Sequence, residues 1–259
     1  MVLAFCNKKG GVGKTSSVIN IASALARKGN HVLCVDLDPQ ANLTEGFGFP
    51  TTLDKNIATV LVKAKEIGAC IFKNDLVHML PASEDMDDLE EDLSRMTMRE
   101  FVLHRALKPV RDKYDFILLD CPPSLGIITK NAIVASDAYL VPMQTEYFSL
   151  TGLVKLISKV RRVTVETDTK SQLMGVFFTK HDKRKIDARQ ISEAVHAALP
   201  GHVFQHYIRQ NQSVHIAQGK GKDVWSYDQS EEGQSNARVD YDLLSDEILL
   251  KSKLKPQYQ

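Results

Sequence analysis

The residues with the clearest chemical potential come first in the chain. Lys8-Lys9-Gly10-Gly11-Val12-Gly13-Lys14-Thr15-Ser16 follows an apolar, strand-like run and opens a helix-like one. Closely spaced glycines let a backbone curl so that successive N–H groups point at one anion, and a helix N-terminus adds its partial positive charge. A Lys and a hydroxyl residue at the end of such a loop can neutralise β- and γ-phosphates and bind Mg²⁺. Gly10, Gly11, Val12, Gly13, Lys14, Thr15 and Ser16 are therefore expected to cradle a nucleoside triphosphate, with Thr15 as a metal ligand. Two further segments put carboxylates where such a loop would need them. Val32–Asp36 is an apolar run ending in acid, continued by Leu37-Asp38-Pro39-Gln40, and Phe116–Asp120 has the same form. An acid at the carboxyl end of a buried parallel strand lies on the rim where ligands bind, and Asp120 there is suited to hold Mg²⁺ through a water.

These residues need a scaffold that brings distant strand ends together. Strand-like runs are expected at Val2–Cys6, His31–Leu37, Leu76–Leu80, Phe116–Leu119, Ala138–Val141 and Leu173–Phe178. Helical periodicity is expected at Thr15–Lys28 (stopped by Gly29), Ile57–Lys65, Met98–Val110, Gly126–Ala135, Leu150–Val163, Ala188–Leu199 and Asp240–Lys251. The alternation predicts an α/β fold: one P-loop domain over residues 1–259, with a mainly parallel twisted sheet flanked by helices on both faces.

The loop departs from the ordinary phosphate-loop pattern, because the position six residues before Lys14 is Lys8 rather than glycine. Lys-Gly-Gly-Val-Gly-Lys-Thr resembles the deviant Walker A loop of the ParA/MinD family of ATPases, and it is closest to the ParA, or Soj-like, members. Asp36-Leu37-Asp38-Pro39-Gln40, Asp120-Cys121-Pro122-Pro123-Ser124-Leu125-Gly126 and Val141–Leu150 are similar to that family's downstream segments. The resemblance implies ATP and Mg²⁺ as cofactors and slow, partner-stimulated ATP hydrolysis. It implies that Lys9 reaches across a homodimer to the partner's nucleotide and that Lys14 holds the phosphates. It also implies that Asp38 orients the attacking water and Asp36 supports the Mg²⁺ shell. Ile208-Arg209-Gln210-Asn211 falls where the family has residues near the base, so Arg209 is expected at the nucleotide. Lys8 reads as a surface charge.

Composition constrains the partners. The chain has 259 residues, 43% of them hydrophobic and 25% charged, with a net charge of +1. Global charge gives no reason to expect nucleic acid, so any DNA contact must be local. Lys180–Lys222 supplies a candidate, with eight Lys or Arg against three Asp or Glu. Sequence-independent DNA binding is expected from Arg209, Lys220 and Lys222, with Lys183, Arg184 and Lys185 as second choice. A dimer would double that surface. A centromere-binding or cargo adaptor protein is the expected activator. A MinD-like membrane switch is the rival, but Leu249–Pro256 is poor in apolar residues and reads as a core helix with a basic tail. Metabolic enzymes of the same fold are a second rival. The four cysteines lack metal-ligand spacing, and no export signal or membrane span is visible, so a cytoplasmic, nucleoid-associated protein is expected. His202 and His206 read as a surface pair, Trp225 as a packing residue, and the acidic Glu84–Asp92 run as a solvated loop or helix start.

Overall fold

In the computed structural model, residues 1–83, 86, 88–146, 149–230 and 235–253 are described. Seven strands form one sheet: β1 (Val2–Phe5), β2 (Val32–Asp36), β3 (Phe72–Lys73), β4 (His78–Leu80), β5 (Phe116–Asp120), β6 (Ala138–Met143) and β7 (Gln172–Phe178). Their order is β3-β4-β2-β5-β1-β6-β7. Every pairing is parallel except the β3–β4 edge. Between and after the strands lie α1 (Lys14–Arg27), α2 (Asn42–Gly46), α3 (Ile57–Leu61), α4 (Leu89–Ser94), α5 (Val102–Leu107), α6 (Ile127–Ala135), α7 (Ser149–Glu166), α8 (Ile186–Ala198), α9 (Gln212–Gly219), α10 (Val224–Ser230) and α11 (Asn236–Lys253).

The strands are apolar throughout because both faces are covered, and alternate side chains enter two separate cores. Leu3, Phe5, Cys34, Leu118, Leu140 and Phe177 pack with α1, α10 and α11 on one face. Ala4, Cys6, Val35, Leu119, Val141 and Phe178 pack with the helices from α3 to α8 on the other. Register then decides the function. Phe5 lies opposite Asp120 and Asp120 opposite Asp36, so the phosphate loop and both acids leave the sheet at the same height.

The expected elements are present with shifted ends. The Ile57–Lys65 expectation shortens to α3, and Ala64 just beyond it has a positive φ of 51°. Met98–Val110 becomes a 3₁₀ turn at Arg99–Phe101 followed by α5. The last helix begins earlier, at Asn236, and runs to Lys253. Of the acidic run, Glu84, Asp85 and Asp87 lie outside the described residues, while Leu89, Glu90, Glu91 and Asp92 open α4. The expected basic tail from Leu254 onward also lies outside them. No described helix is long and apolar enough to cross a membrane.

Candidate functional site

The phosphate loop joins the carboxyl end of β1 to α1. Gly13, at the helix N-cap, has φ 82°, which only a residue without Cβ adopts cheaply. Strand ends on the far side brace the loop. Thr179 Oγ1 donates to the Val12 carbonyl at 2.7 Å, and Gln144 Nε2 and Lys180 Nζ both donate to the Gly11 carbonyl, at 2.9 and 3.1 Å. With those carbonyls held outward by β6 and β7, the loop's N–H groups are left for an anion. These braces were not legible in the sequence, since a polar residue at a strand end is an ordinary feature.

A cavity of about 490 Å³ opens on the loop. Gly10, Gly11, Gly13, Lys14, Thr15 and Ser16 line one wall and Asp38 lines the rim, while Arg209 and the α9 residues Val214, His215 and Gln218 close the opposite side. Ser16 Oγ donates to Gln218 Oε1 at 2.6 Å across that gap. Arg209 is fixed there by a bidentate pair with Asp240, Nε donating to Oδ2 at 3.0 Å and Nη2 to Oδ1 at 2.7 Å. The α9 wall is the part of the site that sequence reasoning missed. Its helix is short, and its partners lie about 200 residues away, as the Ser16–Gln218 separation of 202 shows.

The two strand-end acids are fully buried side by side. Burial raises the pKa of Asp120, and the charge of Asp36 raises it further. Burial also raises Asp36, against the hydrogen bonds it accepts from Thr44 and Asp38. Thr15 Oγ1 donates to Asp120 Oδ2 at 2.7 Å, and Asp120 Oδ1 is buried with no hydrogen-bond partner among the described residues. An orphaned buried carboxylate oxygen beside a hydroxyl, facing a phosphate loop, suits a hard cation with oxygen ligands. Thr15 and Asp120 would hold Mg²⁺, with Asp36 behind them. The ion would neutralise charge on the phosphates during transfer.

Lys9 and Lys14 part company. Lys14 is buried in the phosphate cavity at 7% exposure. Lys9 points instead into a second, larger cavity of about 680 Å³ on the other side of the loop, lined by Val12, Leu125, Met143, Leu153 and Leu156 and edged by Lys8, Lys155 and Lys159. Its ammonium pairs there with Glu146. Tyr147 and Phe148, next in the segment that resembled the family, lie outside the described residues.

The basic stretch divides as well. Lys183, Arg184, Lys185 and Lys220 are exposed, and Lys222 is half-buried. Arg184 pairs with Asp182, Lys183 lies over the Tyr207 ring, and Lys220 lies over Tyr227. His206 contacts Glu247, and His202 faces the Leu173 carbonyl. Trp225 is buried against Arg27, and the four cysteines are buried and free.

A phosphate loop on a parallel sheet, with a buried lysine in the loop and two buried carboxylates at the strand ends, defines a P-loop nucleoside triphosphatase. Residues 1–174 match the AAA domain family model AAA_31. Over 250 residues the chain is 37% identical to the chromosome-partitioning ATPase Soj of Treponema pallidum, covering 95% of this chain and 96% of that one. It is 35% identical to the sporulation initiation inhibitor protein Soj of Bacillus subtilis, covering 90% and 93%. Among solved structures, cobyrinic acid a,c-diamide synthase of Mycobacterium smegmatis, with bound ATP analogue and magnesium, aligns with a TM-score of 0.83 at 30% identity, covering 97% of this chain and 95% of that one. The chain belongs to the ParA/MinD family of P-loop ATPases; its reaction is ATP hydrolysis and its cofactors are ATP and Mg²⁺.

Proposed function

We propose that this ATPase is an ATP-gated homodimer that binds DNA without regard to sequence and positions a large cargo, such as a plasmid, a chromosome or a protein assembly. The observation that carries the reading is the position of Lys9. It lies outside its own phosphate cavity, in a second, mostly apolar cavity beside the loop. A cation there serves phosphates best when a second copy brings its own nucleotide against that cavity. Lys14 holds the phosphates in cis, Asp38 at the cavity rim orients the attacking water, and Thr15 and Asp120 hold Mg²⁺. Similarity to Soj proteins, one of them named for chromosome partitioning, supports the cargo.

Pairing would place two basic surfaces on one particle, so that DNA affinity rises with ATP and falls steeply with salt. Exposure favours Lys183, Arg184, Lys185 and Lys220 as the phosphate contacts over Arg209, which is tied to Asp240 in the nucleotide wall. A centromere-binding or adaptor protein would accelerate hydrolysis and release the dimer from the nucleoid. The test is a gel shift with unrelated duplexes. Asp38→Ala in ATP should retard DNA at low salt and wild type in ADP should not. If neither retards DNA at low salt while ATP-loaded protein sediments with anionic liposomes, the membrane-switch reading is favoured.

A further inference from the structure

Asp38 can orient a water only if its backbone is held steady over the cavity, and the structure shows what holds it. The Asp38 N–H donates to Asp36 Oδ1 at 3.1 Å. The other oxygen of Asp36 accepts from Thr44 twice, from the backbone N–H at 2.9 Å and from Oγ1 at 2.8 Å. Thr44 Oγ1 itself accepts from the Ala82 N–H at 3.0 Å. A hydroxyl has one proton, and an incoming donor on its lone pair leaves that proton for the carboxylate. Asp36, Thr44 and Ala82 are all 0% exposed, so no water can substitute for a missing partner without rearrangement. The chain of bonds runs from the loop after β4, through α2, to the carboxyl end of β2, and ends on the amide of Asp38.

We infer that Thr44 is a positioning residue for ATP hydrolysis: through Asp36 it fixes the backbone of Asp38 at the rim of the nucleotide cavity. It belongs to neither the phosphate loop nor the cavity lining, so its effect falls on turnover rather than on ATP binding. The assignment rests on the reading of Asp38 as the water-orienting residue.

The experiment compares steady-state kinetics and melting temperature for wild type, Thr44→Val, Thr44→Ser and Asp38→Ala. Thr44→Val keeps the shape but removes the O–H donor and the acceptor for Ala82. We expect its kcat to fall by about tenfold to a hundredfold, the scale of a small misplacement of a reacting group. KM for ATP should move by less than about threefold, and Thr44→Ser should recover most of the turnover. A folded Thr44→Val with wild-type kcat, while Asp38→Ala is inactive, overturns the inference and leaves the Asp38 reading intact. Serine as impaired as valine also overturns it, since the hydroxyl would then not be what matters. Wild-type turnover in Asp38→Ala removes the Asp38 reading, and this inference with it. Should the valine variant not fold, amide hydrogen exchange of the wild-type protein decides. Protection at the Asp38 amide supports the clasp, and exchange at the rate of an open loop contradicts it.

Discussion

Two cavities meet at the phosphate loop, and they are built for different work. The smaller is the more polar of the two, with Lys14 buried in its floor, Asp38 at its rim and the α9 wall opposite. The larger has Leu125, Leu153 and Leu156 at its base and Lys8, Lys9, Lys155 and Lys159 around its edge. Size alone would have pointed to the wrong one as the nucleotide site. Loop N–H groups, a lysine and a strand-end carboxylate are what triphosphate chemistry needs, and they converge on the smaller cavity. A mostly apolar cavity edged by lysines, like the second, suits contact with another protein surface. The paired lysines of the deviant loop divide accordingly: Lys14 faces the first cavity and Lys9 the second.

The largest expected effect breaks the first cavity. Lys14→Ala removes a buried cation from the phosphates, and ATP affinity by calorimetry should fall by about a hundredfold, the upper range for losing a hydrogen bond to a charged group. Unchanged affinity would place the nucleotide elsewhere. A smaller effect is expected from filling the second cavity. Gly152 lies on α7 at its edge, and a Cβ added there meets nothing within 4 Å. Gly152→Leu should leave ATP affinity within about twofold while weakening ATP-driven pairing by about tenfold, a loss of about 1.4 kcal/mol. Melting should not suffer, because glycine inside a helix is itself unfavourable by about 1 kcal/mol. Wild-type pairing in this variant would exclude the groove from the interface. The smallest effect is expected at the α9 wall. Gln218→Ala loses the bond to Ser16, worth about 1 kcal/mol. ATP affinity should fall about fivefold, and pairing at saturating ATP should stay unchanged; a change in pairing alone would assign α9 to the second cavity.

How much of this was legible in the sequence follows the same division. The chemistry of the first cavity was legible because its residues sit at the ends of apolar strands, and parallel pairing forces such ends together. The places of Asp36, Asp38 and Asp120 needed no more than that, while the roles expected of Asp36 and Asp38 came from the family resemblance. The α9 wall was not legible, because Val214 and Gln218 occupy an eight-residue helix whose place depends on contacts with α1 and α2. Thr179 and Thr44 were equally silent. A threonine announces nothing until the structure shows which carbonyl or carboxylate it meets. The basic run was read as one surface because charge can be counted along a chain, but the fold divides it. Lys180 braces the phosphate loop and Arg209 binds Asp240, while Lys183–Lys185 reach solvent.

The central claim is that ATP bound in the first cavity joins two copies through the second, with Lys9 crossing between them. Multi-angle light scattering of Asp38→Ala tests this most directly, because ATP should then persist. Asp38→Ala should have twice the monomer mass in ATP and Mg²⁺ and the monomer mass in ADP, and Asp38→Ala with Lys9→Ala should remain monomeric in either nucleotide. One identical mass for Asp38→Ala in ATP and in ADP would contradict the account.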